Sequence, residues 1–227
     1  MHKEIYILKS QRTENYKSFE NRILILSSAV IEKYGPESLK TSLTVKPPPR
    51  ISIIPFKRQK IAVISVIHDT NASMDLITQS EGFTGSYMVE EAIPVSYAKT
   101  WKDGDPTPGV CLLTLFHKKP GLDQETFINR WHHSHTPLSL RIHPLWNYNR
   151  NVVASASSKD SSWYDGIVEE QFQKPSDLLN PLVFFGPPLK VLLHMYEVLK
   201  DTRSFIDMRK IETYLTTEIH FKSPPKS

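Results

Sequence analysis

Three histidines lie close together in the second half of this 227-residue chain: His132, His133 and His135. The charge of a histidine changes near neutral pH, so such a cluster suggests proton transfer. Pro137 stands two residues after the last of them and disfavours helical backbone at the residue before it. We therefore predict a helix that ends near His135, where free backbone carbonyls favour the cationic imidazole. This position predicts a general acid or base at His135.

The predicted helix gives the three histidines different surroundings. Phe127, Trp131 and His135 are spaced by four and lie along one side of it. We interpret His133 as a surface residue, whereas His132 is either functional or packed on Trp131. His132 and His135 have the spacing to share a metal ion, but no acidic residue close in sequence completes a zinc pattern. We therefore predict no metal site.

A longer stretch around these histidines, from Gly109 to Val153, resembles an EthD domain. The resemblance is carried by the order of Phe116-His117-Lys118-Lys119-Pro120-Gly121-Leu122, Phe127, Trp131, His135-Thr136-Pro137-Leu138, and Tyr148 with Asn151. It continues in Tyr164-Asp165-Gly166 and Phe205-Ile206-Asp207. EthD proteins belong to the dimeric α+β barrel superfamily, so the resemblance implies that fold. This superfamily includes cofactor-free monooxygenases, polyketide cyclases, decarboxylases, isomerases and haem enzymes.

The candidate site combines the residues of these motifs. Tyrosine hydroxyls can orient a substrate oxygen, and an aspartate can fix the tautomer of a histidine. Aromatic side chains supply an apolar wall for a small metabolite. We expect the catalytic residues to be His135, His132, Tyr164 and Asp165, and the substrate-binding residues to be Trp131, Tyr148, Phe116, Phe205 and Asp207.

The composition argues against several classes of cofactor and partner. The eight glycines form no clustered G-x-G motif, so we expect no nucleotide cofactor. The single cysteine, Cys111, lies in an apolar run and excludes an internal disulfide or a thiolate zinc site. We predict that no cofactor is needed, although one barrel histidine would suffice to bind haem. A formal net charge of only +4, with scattered basic residues, argues against a nucleic-acid partner.

The beginning of the chain and its hydropathy argue against a membrane protein. Met1-His2-Lys3-Glu4 leads directly into a strand-like run, without an apolar segment of the signal type. No stretch has the uninterrupted apolar length that a membrane span needs. We therefore expect a cytoplasmic protein with no membrane partner.

The order of the predicted elements repeats along the chain. In the first half, hydrophobic periodicity predicts strands at 5–8, 39–45, 61–67 and 87–93, with helices at 16–34 and 73–78. In the second half it predicts strands at 110–116, 146–154, 164–172 and 211–221, with helices after Asp123 and at 189–200. Each half has the split βαβ order of a ferredoxin-like unit. Residues 101–109, rich in proline, glycine and charge, are interpreted as a linker between repeats at 1–100 and 110–227.

The strand at Val110 to Phe116 is apolar on both faces, so both faces must be covered. The helices of one repeat cover only one face of its sheet. Two sheets placed face to face cover the other. We therefore predict the α+β class, with two ferredoxin-like repeats forming an intramolecular dimeric α+β barrel and a cavity between the sheets. The proline-containing insertion between Lys174 and Lys190 departs from a simple second helix and alters the expected cavity wall.

These features lead to two hypotheses for the function. In the first, a barrel pocket binds a small apolar or aromatic metabolite, and His135 supports cofactor-free acid/base chemistry of the cyclase, dehydratase, decarboxylase or monooxygenase type. In the second, the same pocket belongs to a non-catalytic small-molecule binding or accessory protein. In both, the partner is a small-molecule ligand, and the chain is a monomeric pseudo-dimer or a homodimer.

Overall fold

The computed structural model describes residues 2–68, 73–156 and 163–224. The first half contains β1 (His2–Lys9), α1 (Tyr16–Tyr34), β2 (Ser38–Leu43), β3 (Ile61–His68), α2 (Asp75–Thr78) and β4 (Phe83–Val95). The second half contains β5 (Val110–Phe116), α3 (Gln124–Asn129), a π-helix (Arg130–His135), α4 (Thr136–Ile142), β6 (Asn147–Ala156), β7 (Gly166–Phe172), α5 (Pro175–Leu179), α6 (Pro181–Phe184), α7 (Pro188–Phe205) and β8 (Glu212–Lys222). Among the helices in these ranges, none is long and apolar enough to cross a bilayer.

Helix α1 shows how the local sequence sets the ends of an element. The side-chain oxygen of Asn15 caps its N-terminus and accepts a hydrogen bond from the Ser18 amide at 2.9 Å. Gly35 ends it in the left-handed conformation, with φ at 56°, which a glycine adopts without a steric penalty. Between these ends, side chains at helical spacing pack on the first sheet: Phe19, Ile23, Leu26 and Val30. The bounds predicted for this helix are confirmed.

The described strands form one closed barrel with antiparallel pairing between all neighbours. Around the barrel the order is β4-β1-β3-β2-β8-β5-β7-β6, with β6 closing on β4. Each half follows the same ferredoxin-like order, and the halves join at β2–β8 and β4–β6. The predicted fold class, two ferredoxin-like repeats in an intramolecular α+β barrel, is confirmed.

Residues 101–109 connect the two halves along β8. The Gly104 amide donates a hydrogen bond to the His220 carbonyl, and the Thr107 amide donates one to the Glu218 carbonyl, each at 2.7 Å. Pro106 forms an isolated antiparallel bridge with Ile219. The segment is therefore fastened to the barrel wall. The repeat boundaries at 100 and 110 stay a prediction.

The middle of the barrel interior is apolar. Its cluster contains strand residues of both halves and no helix residue, so these side chains point inward: Ile5, Ile7, Ile61, Val63, Tyr87, Val89, Leu113, Leu115, Val153, Ile167 and Tyr214, with Tyr164 from the loop before β7. The alternate residues of the same strands pack outward on the helices; Leu112 and Phe116 of β5 are examples. Both faces of β5 are thus covered, as its apolar sequence predicted.

One end of the interior holds a buried ion network that joins the two halves. Lys40 of β2 contacts Glu169 of β7 at 2.9 Å and Glu218 of β8 at 3.2 Å, measured from Nζ to carboxylate oxygens. Burial alone would lower the pKa of Lys40, but the two carboxylates raise it well above its usual value. Burial would raise the pKa of each carboxyl, yet Lys40 brings both below their usual range. The Ser42 hydroxyl donates a further bond to Glu169 at 2.7 Å.

The variant Lys40→Met tests whether this network stabilises the closed barrel. It leaves two buried carboxylates without their shared cation, a change that typically costs about 3–5 kcal/mol. We expect the free energy of unfolding from urea titration to fall by that amount. The matched control is Lys17→Met, because Lys17 pairs with Glu20 on the surface with its side chain 74% exposed, and such pairs contribute less than about 1 kcal/mol. Equal effects of the two variants would contradict a stabilising role for the network.

Candidate functional site

The histidines lie on one continuous helical segment built from α3, the π-helix and α4. Asp123 caps its start, where its carboxylate accepts the Thr126 amide at 2.7 Å. The predicted helix end at His135 is wrong, because the helix continues to Ile142. Pro137 lies in the first turn of α4, where its missing amide is tolerated, and the preceding turn is a wide π turn.

The π turn is fixed by Thr136. Its backbone amide donates to the carbonyl of Trp131, five residues earlier, and its hydroxyl donates to the same oxygen at 3.0 Å. Trp131 is buried beneath the segment. Local widening of a helix of this kind often accompanies a functional site, because it changes the direction in which neighbouring side chains point.

His135 is held between this segment and α7. Its Nδ1 lies 2.8 Å from Oδ2 of Asp201, and its Nε2 lies 3.2 Å from the Ser139 hydroxyl. Its ring stands 5.2 Å from the ring of Phe205, measured between centroids. The side chain is largely buried, with 13% of its surface exposed. His135 therefore lies in the helical layer outside the barrel wall and not in the barrel interior.

Asp201 determines which nitrogen of His135 carries a proton. Burial alone would raise the pKa of Asp201, but hydrogen bonds from His135 and Ser134 outweigh burial and hold the pKa below its usual value. An ionised carboxylate can only accept, so Nδ1 of His135 must be the donor. The neutral imidazole then has its basic lone pair on Nε2, where the Ser139 hydroxyl can donate a hydrogen bond. This arrangement suits a general base whose reactive atom is Nε2.

A groove of about 440 Å³ adjoins this pair between α4 and α7. Its walls combine charged, polar and aliphatic side chains: Arg130, Ser134, Leu138, Arg141, Glu197, Lys200, Asp201 and Ser204. Arg130 donates to the Ser204 carbonyl at 2.6 Å, and Arg141 pairs with Glu197 at 2.8 Å. Asp201, the hydrogen-bond partner of His135, is one of these lining residues. The cations make it suitable for a ligand on which negative charge develops.

Four of the predicted substrate-binding residues do come together beneath the helical segment. Phe116, Trp131, Tyr148 and Phe205 belong to one buried cluster of the outer layer. The ring of Phe116 lies 4.9 Å from that of Trp131 and 6.2 Å from that of Phe205. All four are almost fully buried, so they support the segment that carries His135. Their role in substrate binding stays a prediction.

Tyr164, predicted to be catalytic, lies apart from His135. Its hydroxyl donates to Glu212 at 3.1 Å inside the barrel, and its ring packs 5.7 Å from that of Tyr87. Burial, together with the charge of Glu212, raises the pKa of Tyr164 far above its usual value. At neutral pH Tyr164 is therefore a neutral hydrogen-bond donor at one end of the barrel interior.

The two aspartates predicted to hold a histidine tautomer have other hydrogen-bond partners. Asp165 accepts the Lys118 amide at 2.8 Å and the Trp163 indole N–H at 3.1 Å, which fixes the turn before β7. Asp207 accepts the guanidinium of Arg209 at 3.0 Å. The residue that fixes a histidine tautomer is thus Asp201, which sequence reasoning missed. The predicted helix at 189–200 stopped one residue before it.

His132 lies on the same segment but faces a different environment. Its ring stands 5.3 Å from that of Trp131. Burial, then the charges of Arg150 and His133, lower the pKa of His132 to about 4. The imidazole is therefore neutral at physiological pH. In the described ranges, no group of three or more His, Cys, Asp or Glu side chains is arranged to hold a metal ion.

Comparison with known proteins finds a family model that matches part of this site. The family model of the EthD domain matches residues 119–188, which include the helical segment with its histidines. Residues 119–188 are therefore similar to an EthD domain. No curated protein gave a significant match.

Solved structures share the fold of the EthD domain and its partner repeat. The crystal structure of an anthrone oxidase-like protein superposes with a TM-score of 0.60 at 9% identity, covering 100% of this chain and 96% of the other. A candidate monooxygenase from Fusobacterium nucleatum superposes with a TM-score of 0.51 at 10% identity, covering 97% of this chain and 92% of the other. At these identities the likeness shows the fold alone.

The geometry around His135 predicts its tautomer. We expect long-range ¹H–¹⁵N NMR spectra at alkaline pH to show the proton of neutral His135 on Nδ1, because ionised Asp201 can only accept it. His133 serves as an internal control, since it is exposed and should show the tautomer mixture of a free imidazole. A His135 resonance pattern with the proton on Nε2 would contradict the pairing with Asp201.

Proposed function

We propose that the EthD domain binds a small aromatic metabolite in the groove beside α7 and removes a proton from it with His135. The observation that carries this proposal is the 2.8 Å contact between His135 Nδ1 and Oδ2 of Asp201, a residue that lines the groove. The contact leaves Nε2 basic, and the Ser139 hydroxyl that now occupies it is held only by a long 3.2 Å bond. When a substrate displaces the Ser139 hydroxyl, its C–H group would lie next to a positioned base, Nε2 of His135.

The groove also supports the charge that such a reaction creates. Loss of a proton next to a carbonyl gives an enolate, in which negative charge moves to oxygen. Lys200 lines the groove beside Asp201 and can stabilise that oxygen, as can Arg130 and Arg141. Leu138 supplies apolar surface from the opposite helix. The reaction type is therefore proton abstraction from an activated carbon, which needs no bound cofactor.

The anthrone oxidase-like neighbour suggests a first substrate. Anthrone has an acidic C–H at carbon 10, because losing that proton makes its central ring aromatic. The resulting carbanion adds O₂ at this carbon, and loss of water gives anthraquinone. Anthrone and O₂ thus yield anthraquinone and water, without a further oxidant. The pairing of His135 with Asp201 supports the first step, which is proton removal.

Hydrogen exchange separates proton removal from oxidation. We expect the wild-type protein, without O₂ and in D₂O, to accelerate exchange at carbon 10 of anthrone as followed by ¹H NMR. His135→Gln should slow this exchange by roughly a hundredfold or more, because positioned proton transfer contributes 10²–10⁴. Asp201→Asn should slow it as well, because it removes the acceptor that sets the tautomer. With O₂ present, the same variants should slow the appearance of anthraquinone.

The control for this test is His133→Gln on the same helical segment. His133 is exposed, so the variant should keep the wild-type exchange rate. A wild-type rate in His135→Gln would contradict the proposal. Anthrone binding without accelerated exchange by the wild-type protein would instead favour the alternative, a non-catalytic binding or accessory protein.

A further inference from the structure

Arg150 on β6 is a buried cation without an acidic partner among the described residues. The residue is 9% exposed, and its neighbours Tyr148 and Val152 show that this side of β6 faces the helical layer. Nη1 donates to the Thr136 hydroxyl at 2.8 Å, whereas Nε is buried and contacts no acceptor in the described ranges. Buried charges in proteins are normally paired, because an unpaired one is costly. The site around Arg150 therefore lacks an anion.

Glu170, a strand carboxylate on the same face, does not supply that anion. Glu170 of β7 pairs in register with Tyr148, while Arg150 pairs with Val168. Burial raises the pKa of Glu170 to about 7, and no cation acts against it. In the described ranges, the side-chain hydrogen bond of Arg150 goes to Thr136 and none goes to Glu170. Arg150 and Glu170 are therefore not partners.

His132 adds a second unpartnered group to the same place. Thr136 follows His132 by four residues on the helical segment, so the two share a side of it. His132 Nε2 is buried and has no hydrogen-bond partner in the part of the chain that the structure describes. Because Arg150 donates to the Thr136 hydroxyl, its guanidinium contacts the same side of the segment. A neutral imidazole can donate one N–H to a ligand.

We propose that Arg150, His132 and Thr136 form a binding site for the carboxylate of a small aromatic acid. The planar guanidinium matches a carboxylate in geometry and charge, and the His132 N–H can donate to one of its oxygens. The Trp131 ring, 5.3 Å from that of His132, supplies an aromatic neighbour for the rest of the ligand. None of the three proposed residues lines the groove beside α7, so this is a second site and does not depend on the chemistry at His135.

Benzoate is the probe for this site, and Arg150→Met is the variant. We expect titration calorimetry to show saturable benzoate binding to the wild-type protein and at least tenfold weaker binding to Arg150→Met. The matched control is Arg22→Met, since Arg22 of α1 pairs with Glu14 at 2.9 Å in the first half of the chain, outside both proposed sites, and should keep wild-type affinity. Acetate tests the role of the ring: it should bind through the same residues but more weakly. Acetate binding as tight as that of benzoate would overturn the aromatic part of the proposal.

The ligand-free variant gives an independent measurement. Without an anion, Arg150 is an uncompensated buried charge, so Arg150→Met should be at least as stable to heat as the wild-type protein. Benzoate should raise the melting temperature of the wild-type protein and leave that of the variant unchanged. A marked loss of stability in the ligand-free variant would instead show that Arg150 holds Thr136 for structural reasons, and would overturn the proposal.

A spectroscopic measurement on the wild-type protein does not require any variant to fold. Benzoate should shift the ring ¹⁵N resonances of His132, because its free N–H gains an acceptor. The ring of His143 should not respond, because it is buried elsewhere with Nδ1 2.9 Å from the Phe184 carbonyl. Unchanged His132 resonances at saturating benzoate would overturn the proposal, and so would equal affinity of the wild-type protein and Arg150→Met.

Discussion

The structure depends on covering both faces of two four-stranded sheets with a single chain. Helices cover the outer face of each sheet, and the inner faces can be covered only by each other, so β2 must pair with β8 and β6 with β4. Closure has an electrostatic consequence. Strand ends that would otherwise meet water are enclosed, and Lys40 can remain charged there only because Glu169 and Glu218 come from the opposite half. The ion network is thus a product of barrel closure.

Closure also bears on where a ligand can bind. The middle of the barrel is occupied by apolar side chains of both halves, and one end is occupied by charged groups that satisfy one another. A further set of polar groups that could take part in chemistry lies in the helical layer outside the barrel. There the π turn before Thr136 changes the direction of the side chains on one helical segment. His132 and His135 therefore have different neighbours. His135 contacts Asp201 of α7, and Thr136, four residues after His132, contacts Arg150 of β6.

Much of the fold could be predicted from the sequence, because its elements carry clear periodicity and caps. Helix α1 and strand β5 are examples, with Asn15 and Gly35 marking the helix ends. The site was harder to predict. Pro137 predicted a helix end, whereas the helix continues through a π turn that precedes this proline. Asp201 is brought to His135 only by the packing of α7. The ion network was missed because alternating polar residues in β8, such as Glu218 and His220, have the pattern of a solvent-facing strand.

The central claim is that a ligand binds in the helical layer of the EthD domain and not in the barrel interior. The most direct test is to map backbone amide NMR shifts as anthrone is added to the wild-type protein in the absence of O₂. We expect the shifts to concentrate at residues of the groove, among them Ser134, Asp201 and Ser204. Shifts concentrated at interior residues such as Tyr214 and Glu218, with the groove unaffected, would contradict it.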